Sequence, residues 1–160
     1  MISTRWFQGK DNLSDVLSIR KEVFADTDNL TDFYDEFAFN AVLYEEDVPA
    51  GTARLLFKDG KYYIDMLCVK KQFKGLNYEE LLVRLLVRKA VTIGADKTYM
   101  EADESIEELL ENIGFIKTSK DKMLMVKEGD VGGHCCGWDH IKTKIKKEKN
   151  IDKGIGLLYN

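Results

Sequence analysis

Proline is nearly absent: the 160-residue chain has one, Pro49. No run combines serine with glycine, so a long flexible linker is not expected. Histidine is scarce, with His134 and His140 both near the C-terminus. The three cysteines are Cys68, Cys135 and Cys136. An odd count with two adjacent members builds no disulfide framework and suits a reducing compartment. No apolar stretch approaches the ~18 residues that a membrane helix needs. The first residues, Met1-Ile2-Ser3-Thr4-Arg5-Trp6, lack the apolar core of a secretory leader. The expected location is therefore the cytoplasm, with no membrane contact. A basic surface is missing too. The net charge is −4, which argues against general nucleic-acid binding.

What is present suits one domain with a sizeable core: 44% of residues are apolar and 32% charged. Residues 2–8 read as a first strand. Asn12, with Asp15 three positions on, looks like a helix cap. Leu13, Val16, Leu17, Val23 and Phe24 then recur near helical spacing, so residues 12–25 read as an amphipathic helix. An acidic, aromatic stretch follows, with Asp26, Asp28, Asp32, Asp35 and Glu36 around Phe33, Tyr34 and Phe37. It reads as a loop with a short helix. Strands are expected at 39–45, 50–57 and 62–69. Asp47-Val48-Pro49 reads as the first turn between them. Lys58-Asp59-Gly60 is the second, where glycine accepts a positive φ. The apolar end Met66-Leu67-Cys68-Val69 suggests a central strand covered on both faces.

From Tyr78 to Ile93 the apolar positions 78, 81, 82, 85, 86, 90 and 93 form one wide helical face. Glu80, Arg84 and Arg88 lie four apart on the other side, and Gly94 fits just past the end. Residues 97–100, 115–118 and 122–126 read as strands, and 105–112 as a short helix. The expected fold class is α/β: a mixed, mostly antiparallel central sheet flanked by helices. Composition changes after residue 127, where glycines and then a lysine-rich run appear. Residues 1–127 are expected to form the domain. Residues 128–160 read as a C-terminal extension, packed on it or partly flexible.

The stretch that carries chemistry is Leu67-Cys68-Val69-Lys70-Lys71-Gln72-Phe73-Lys74-Gly75-Leu76-Asn77-Tyr78. An apolar strand ends, a short basic loop with one glycine follows, and a long helix begins. Such a junction aims free backbone N–H groups and a helix N-terminus at one place, which suits a phosphate or pyrophosphate. Gly75 would let the backbone approach an anion closely. A plain strand-to-helix connection with solvated lysines would look the same from the loop alone.

The motifs around the loop fall into a familiar order. Gln72-x-x-Gly75-x-Asn77 is similar to the acyl-CoA loop Gln/Arg-x-x-Gly-x-Gly/Ala of the GNAT superfamily of N-acetyltransferases, and departs from it at Asn77. Leu109-Leu110-Glu111-Asn112-Ile113-Gly114-Phe115 resembles that family's Phe-Tyr-x-x-x-Gly-Phe segment. Gly51-Thr52-Ala53-Arg54-Leu55, preceded by Pro49, resembles its third strand, and Asp35-Glu36-Phe37 the stretch before its second. The resemblance covers residues 1–127.

The resemblance implies a GNAT-like acyl-CoA N-acyltransferase fold. It implies an enzyme that moves an acetyl group from acetyl-CoA to a primary amine by direct attack, leaving coenzyme A. Leu67, Cys68 and Val69 would offer backbone groups to the pantetheine arm. Gln72, Phe73, Lys74, Gly75, Leu76, Asn77 and Tyr78 would hold the pyrophosphate. A splay between strands near Val69 and Met100 would admit the thioester. The tyrosine that protonates the leaving thiolate in many members corresponds to Leu110, which cannot donate a proton. Tyr78 or Tyr99 would have to substitute for it. Leu110 and Asn77 keep open a second reading, a catalytically silent acyl-CoA-binding or interaction domain.

Acid–base candidates are Asp65, Glu36 and Glu22. Asp65 lies in an apolar strand, where an unpaired carboxylate is costly and a raised pKa would suit a base. The alternative is an Asp paired with an arginine such as Arg54, or one at a solvated edge. Cys68 reads as a small buried apolar residue rather than a nucleophile. The acidic segment would draw a cationic amine, so the acceptor expected is a small-molecule or peptide amine; a solvated loop is the alternative. The segment from Gly132 to His140 gathers both histidines and two cysteines, ligand types that suit zinc in a regulatory module. Its spacing is not that of paired Cys-x-x-Cys knuckles, and a packed loop would carry the same residues, so no metal ligands are assigned. The lysine run beyond it, with Ile141 and Ile145, could cover a sheet edge or support a homodimer contact.

Overall fold

The computed structural model describes residues 1–24, 28–118 and 123–131. Among these, one seven-stranded sheet has the order β1-β2-β3-β4-β5-β7-β6. The strands are β1 (Ile2–Gln8), β2 (Phe39–Glu45), β3 (Val48–Lys58), β4 (Lys61–Val69), β5 (Lys97–Glu101), β6 (Ile116–Lys117) and β7 (Leu124–Glu128). Only β4 and β5 pair in parallel; the other pairs are antiparallel. The helices are α1 (Ser14–Val23), α2 (Tyr78–Thr92) and α3 (Glu107–Ile113). This is the mixed, mostly antiparallel sheet flanked by helices that the sequence predicts. No helix among the described residues is long and apolar enough to cross a membrane.

Successive strand residues point to opposite faces, so Cys68 and Val69 separate two layers. Cys68 joins Leu13, Val16 and Ile19 in one buried cluster under α1. Val69 faces the other way, toward α2. A Cβ on Gly51 would stand 2.9 Å from Val69 Cγ2 and 3.1 Å from Leu82 Cδ1, so glycine there lets β3, β4 and α2 close up. The long helix buries Leu82, Val83, Leu86, Val87 and Ala90. Each fully buried Leu or Val contributes about 1.5–3 kcal/mol. The buried stripe is turned toward Val83 and Val87, away from the expected Leu81 and Leu85. All four are apolar, so the sheet, not the periodicity, selects the face.

Local departures have similar causes. Asn12 does not cap α1. It takes φ +61, the helix starts at Ser14, and Asp15 instead accepts a 2.6 Å hydrogen bond from the Tyr44 hydroxyl. The first hairpin turns at Glu46 and Asp47, both with positive φ, and Pro49 lies inside β3. That position is tolerated because the register slips beside it, between Leu43 and Tyr44. The second hairpin turns at Asp59 and Gly60 as predicted, with φ of 51° and 75°. Glu80 and Arg84 pair at 2.9 Å.

Candidate active site

β4 and β5 begin side by side and then part. Their register runs from Tyr62↔Thr98 to Ile64↔Met100, and β4 continues to Val69 paired only with β3. A bulge marks the parting. Thr52 faces Cys68 and Arg54 faces Asp65, so Met66 and Leu67 oppose the single residue Ala53. Met66 takes φ +50, the left-handed geometry that glycine commonly fills in a bulge. For a non-glycine residue this costs about 1–3 kcal/mol. The extra residue also resets the strand's parity: Asp65 and Cys68 share a face although three positions apart. Met66 and Leu67 are half-buried, not covered on both faces as the apolar run suggests.

Beyond Val69 the chain makes a 3-10 turn, Lys71–Phe73, and enters α2. Gly75 and Asn77 hold φ of 83° and 61°. Asn77 is the residue before α2, and its side chain makes no capping bond. Among the described residues, none accepts a hydrogen bond from the backbone N–H of Gly75, Leu76 or Asn77. Free amides ahead of a 15-residue helix make an anion-binding end. Lys70 and Lys74 stand by, tied to Glu22 at 3.4 Å and Glu79 at 2.9 Å. Tyr78 opens the helix and donates to Glu45 at 2.7 Å, which raises its phenol above the usual range.

A cleft of about 550 Å³ opens where the strands part. Asp65, Met66 and Leu67 line it from β4, Met100 and Glu101 from β5. Arg54 also lines it, with a side chain only 2% exposed. One guanidinium edge grips Asp65, with Nε–Oδ1 2.8 Å and Nη2–Oδ2 2.7 Å. The other grips Asp32, with Nη1–Oδ1 2.5 Å and Nη2–Oδ2 3.0 Å. Behind them Asp35 lies 3.4 Å from Arg54 and accepts two bonds from Arg20, at 3.2 and 3.1 Å. Asp32 and Asp35 also cap the short turn Phe33–Glu36 reciprocally.

These contacts set the charge states. Hydrogen bonding to Arg54 holds the Asp32 carboxyl below its usual range. Burial pushes Asp35 upward, but hydrogen bonds from Arg20 and the Asp32 amide outweigh it, and its carboxyl also lies low. Burial works against the Arg54 charge, and the bonds to Asp65 and Asp32 more than restore it. Asp32, Asp35 and Arg54 are therefore ionised at neutral pH.

A model of the acetyltransferase (GNAT) family matches residues 10–115. The chain belongs to the GNAT family. No curated protein matches it. Solved structures are similar in fold at low identity. The IAA acetyltransferase from Bacillus cereus is 15% identical with a TM-score of 0.69, covering 81% of this chain and 100% of that one. An acyl-CoA N-acyltransferase from Pseudomonas aeruginosa is 15% identical with a TM-score of 0.67, over 79% and 96% of the two chains. A predicted acetyltransferase from Clostridium acetobutylicum, solved with acetyl-CoA, is 21% identical with a TM-score of 0.61, over 76% and 94%.

On this GNAT frame the residues singled out in the sequence fall into two groups. Leu67, Cys68 and Val69 occupy the end of β4 that has left β5, and Gln72 to Tyr78 form the loop and the helix start. Cys68 offers only its backbone: burial pushes its thiol up to about 12, so it stays protonated at neutral pH. Asp65 lies in the cleft, paired with Arg54 as the structural alternative proposed. Glu36 is bound to Lys10 at 2.6 Å and does not line the cleft. Of the acidic segment, Asp32, Asp35 and Glu36 are thus paired with Arg54, Arg20 and Lys10. Leu110 is fully buried, and Tyr99 stacks on Tyr63 with centroids 5.6 Å apart. Asp26 and the segment from Gly132 to His140 lie outside the described residues. No metal-binding group of His, Cys, Asp or Glu occurs among the described residues.

Sequence reasoning missed Glu101, Tyr34 and Tyr63, all in the cleft lining. Glu101 is the last residue of β5, exposed, and its side chain has no hydrogen-bond or ionic partner among the described residues. Its signal was available: a carboxylate at the carboxyl end of a strand, where open sheets bind ligands.

Proposed function

We propose that the protein is an acetyl-CoA-dependent N-acetyltransferase that passes the acetyl group to a primary amine by direct attack. Two free backbone runs, close in sequence, support this: the β4 edge that β5 leaves beyond Ile64, and the amides of Gly75, Leu76 and Asn77. Together they suit one extended ligand with amide groups along its arm and phosphates at its end. The freed β4 edge can take the pantetheine arm as an added strand. The amides ahead of α2 can take the pyrophosphate. Asn77 is already left-handed, so its departure from the family's small residue is accommodated.

In the reaction the amine nitrogen bonds to the thioester carbonyl carbon, the carbon–sulfur bond breaks, and the nitrogen sheds a proton. Glu101, which lines the cleft, would take that proton, because Asp65 has both oxygens held by Arg54. The cleft lining carries Asp32, Asp59, Asp65, Glu101 and Asp103 against Arg54 and Lys58. That balance favours a cationic acceptor, a small-molecule or peptide amine.

Thermal melting tests the reading. Coenzyme A at a hundredfold excess over Kd should add about 2.7 kcal/mol. Gly75→Asp should remove this shift by setting a carboxylate beside the free amides. An unchanged melt of the natural protein at millimolar coenzyme A overturns the reading. The buried Leu110 favours a second one, a silent acyl-CoA binder, which would show the shift but release no thiol from acetyl-CoA across a panel of amines.

A further inference from the structure

Resting on the acyl-CoA reading, we propose that Arg54 and Asp65 are positioning residues. They hold the Met66–Leu67 bulge in the shape that presents the β4 backbone to a thioester carbonyl in the cleft. Arg54 stands directly opposite Asp65 in the register, at the edge of the bulge. Both Asp65 oxygens are gripped, at 2.8 and 2.7 Å. The guanidinium cannot swing, because Asp32 holds its other edge and Asp35 backs it at 3.4 Å. Asp35 is in turn fixed to Arg20 on α1. A planar fork locked on both edges transmits this rigidity to the strand.

The neighbouring residue needs such a clamp. Met66 sits at φ +50, which a methionine leaves readily once released. Its release would let the extra residue shift along β4 and turn residues 66–67 away from the cleft. Misplacement of a reacting group by about 1 Å can cost about a hundredfold in rate. Asp65 on this view acts through the backbone and not as a base.

The test uses the full-length protein and acetyl-CoA labelled with ¹³C at the carbonyl. Isotope-edited infrared spectroscopy reads the polarisation of the bound thioester, and calorimetry reads coenzyme A affinity. The natural protein should lower the carbonyl frequency on binding. Asp65→Asn should bind coenzyme A with little change and lose that frequency shift. Adding Met66→Gly to Asp65→Asn should restore the shift, since glycine holds the left-handed geometry unaided. Met66→Gly alone, with the clamp intact, should keep it. A natural-type shift in Asp65→Asn, no recovery in the double variant, or a lost shift in Met66→Gly alone each overturns the proposal. If the natural protein does not bind coenzyme A, the acyl-CoA reading falls and this proposal with it. If it binds and Asp65→Asn matches it, only the positioning role falls.

Discussion

Arg20 and Asp35 meet in the interior, Nη2 to Oδ1 at 3.1 Å, with neither side chain exposed to solvent. The pair joins α1 to the segment that carries Asp32 into the cleft. Arg20 Nε and Asn40 Nδ2 are already buried without a hydrogen-bond partner among the described residues. Little spare polarity surrounds the arginine. Asp35→Asn should therefore cost about 3–5 kcal/mol, because a buried charge loses its counter-ion. Urea unfolding at neutral pH measures this, and a loss under 1 kcal/mol would refute it. Neutralising Asp32, Asp35 and Glu36 together would report on folding, not on acceptor binding.

Acid should act through the carboxyls of this segment. Asp32 and Asp35 both have carboxyls below their ordinary value of 3.8 in the folded protein. The stability they supply is present above that value and is lost as pH falls through the folded pKa. Urea midpoints should hold steady from about pH 7 to about pH 5 and fall below about pH 4. Asp35→Asn should flatten that acid slope. An equal slope in the variant would place the acid sensitivity elsewhere.

Glu101→Gln should lower kcat about 10²- to 10⁴-fold, the usual worth of a general base. Coenzyme A affinity should not change, because Glu101 stands at the β5 side of the cleft and not at the amides before α2. Full activity in the variant would assign the proton to another group or to water.

Leu110→Tyr should destabilise the protein by about 1–3 kcal/mol rather than install an acid. Leu110 is fully buried, so a phenol there overpacks the core and buries a hydroxyl. Thermal melting and thiol release, measured together, separate the outcomes. Normal stability with faster thiol release would show that the position reaches the reacting sulfur after all.

The element order was largely legible in the chain. α2 announced itself by apolar spacing, and the Asp59-Gly60 turn by its chemistry. Both are properties of residues within a few positions of each other. The loop from Gln72 to Asn77 was legible as a junction, though not the free state of its amides, which depends on what the rest of the fold leaves near them.

Sequence alone thus determined the strand and helix order, the fold class and the family resemblance, because local periodicity and turn propensity need only neighbours. Tertiary structure decided which stripe of α2 is buried and where β4 and β5 part. It also decided which carboxylates are free. Asp35 finds Arg20 15 positions away, and Arg54 finds Asp32 and Asp65 at separations of 22 and 11. The Glu101 side chain has no partner among the described residues. One extra residue at Met66 puts Asp65 and Cys68 on the same face, and no alternation count can be carried through such a bulge. Pairing and burial depend on residues far apart in the chain, and so they exist only once the sheet has formed.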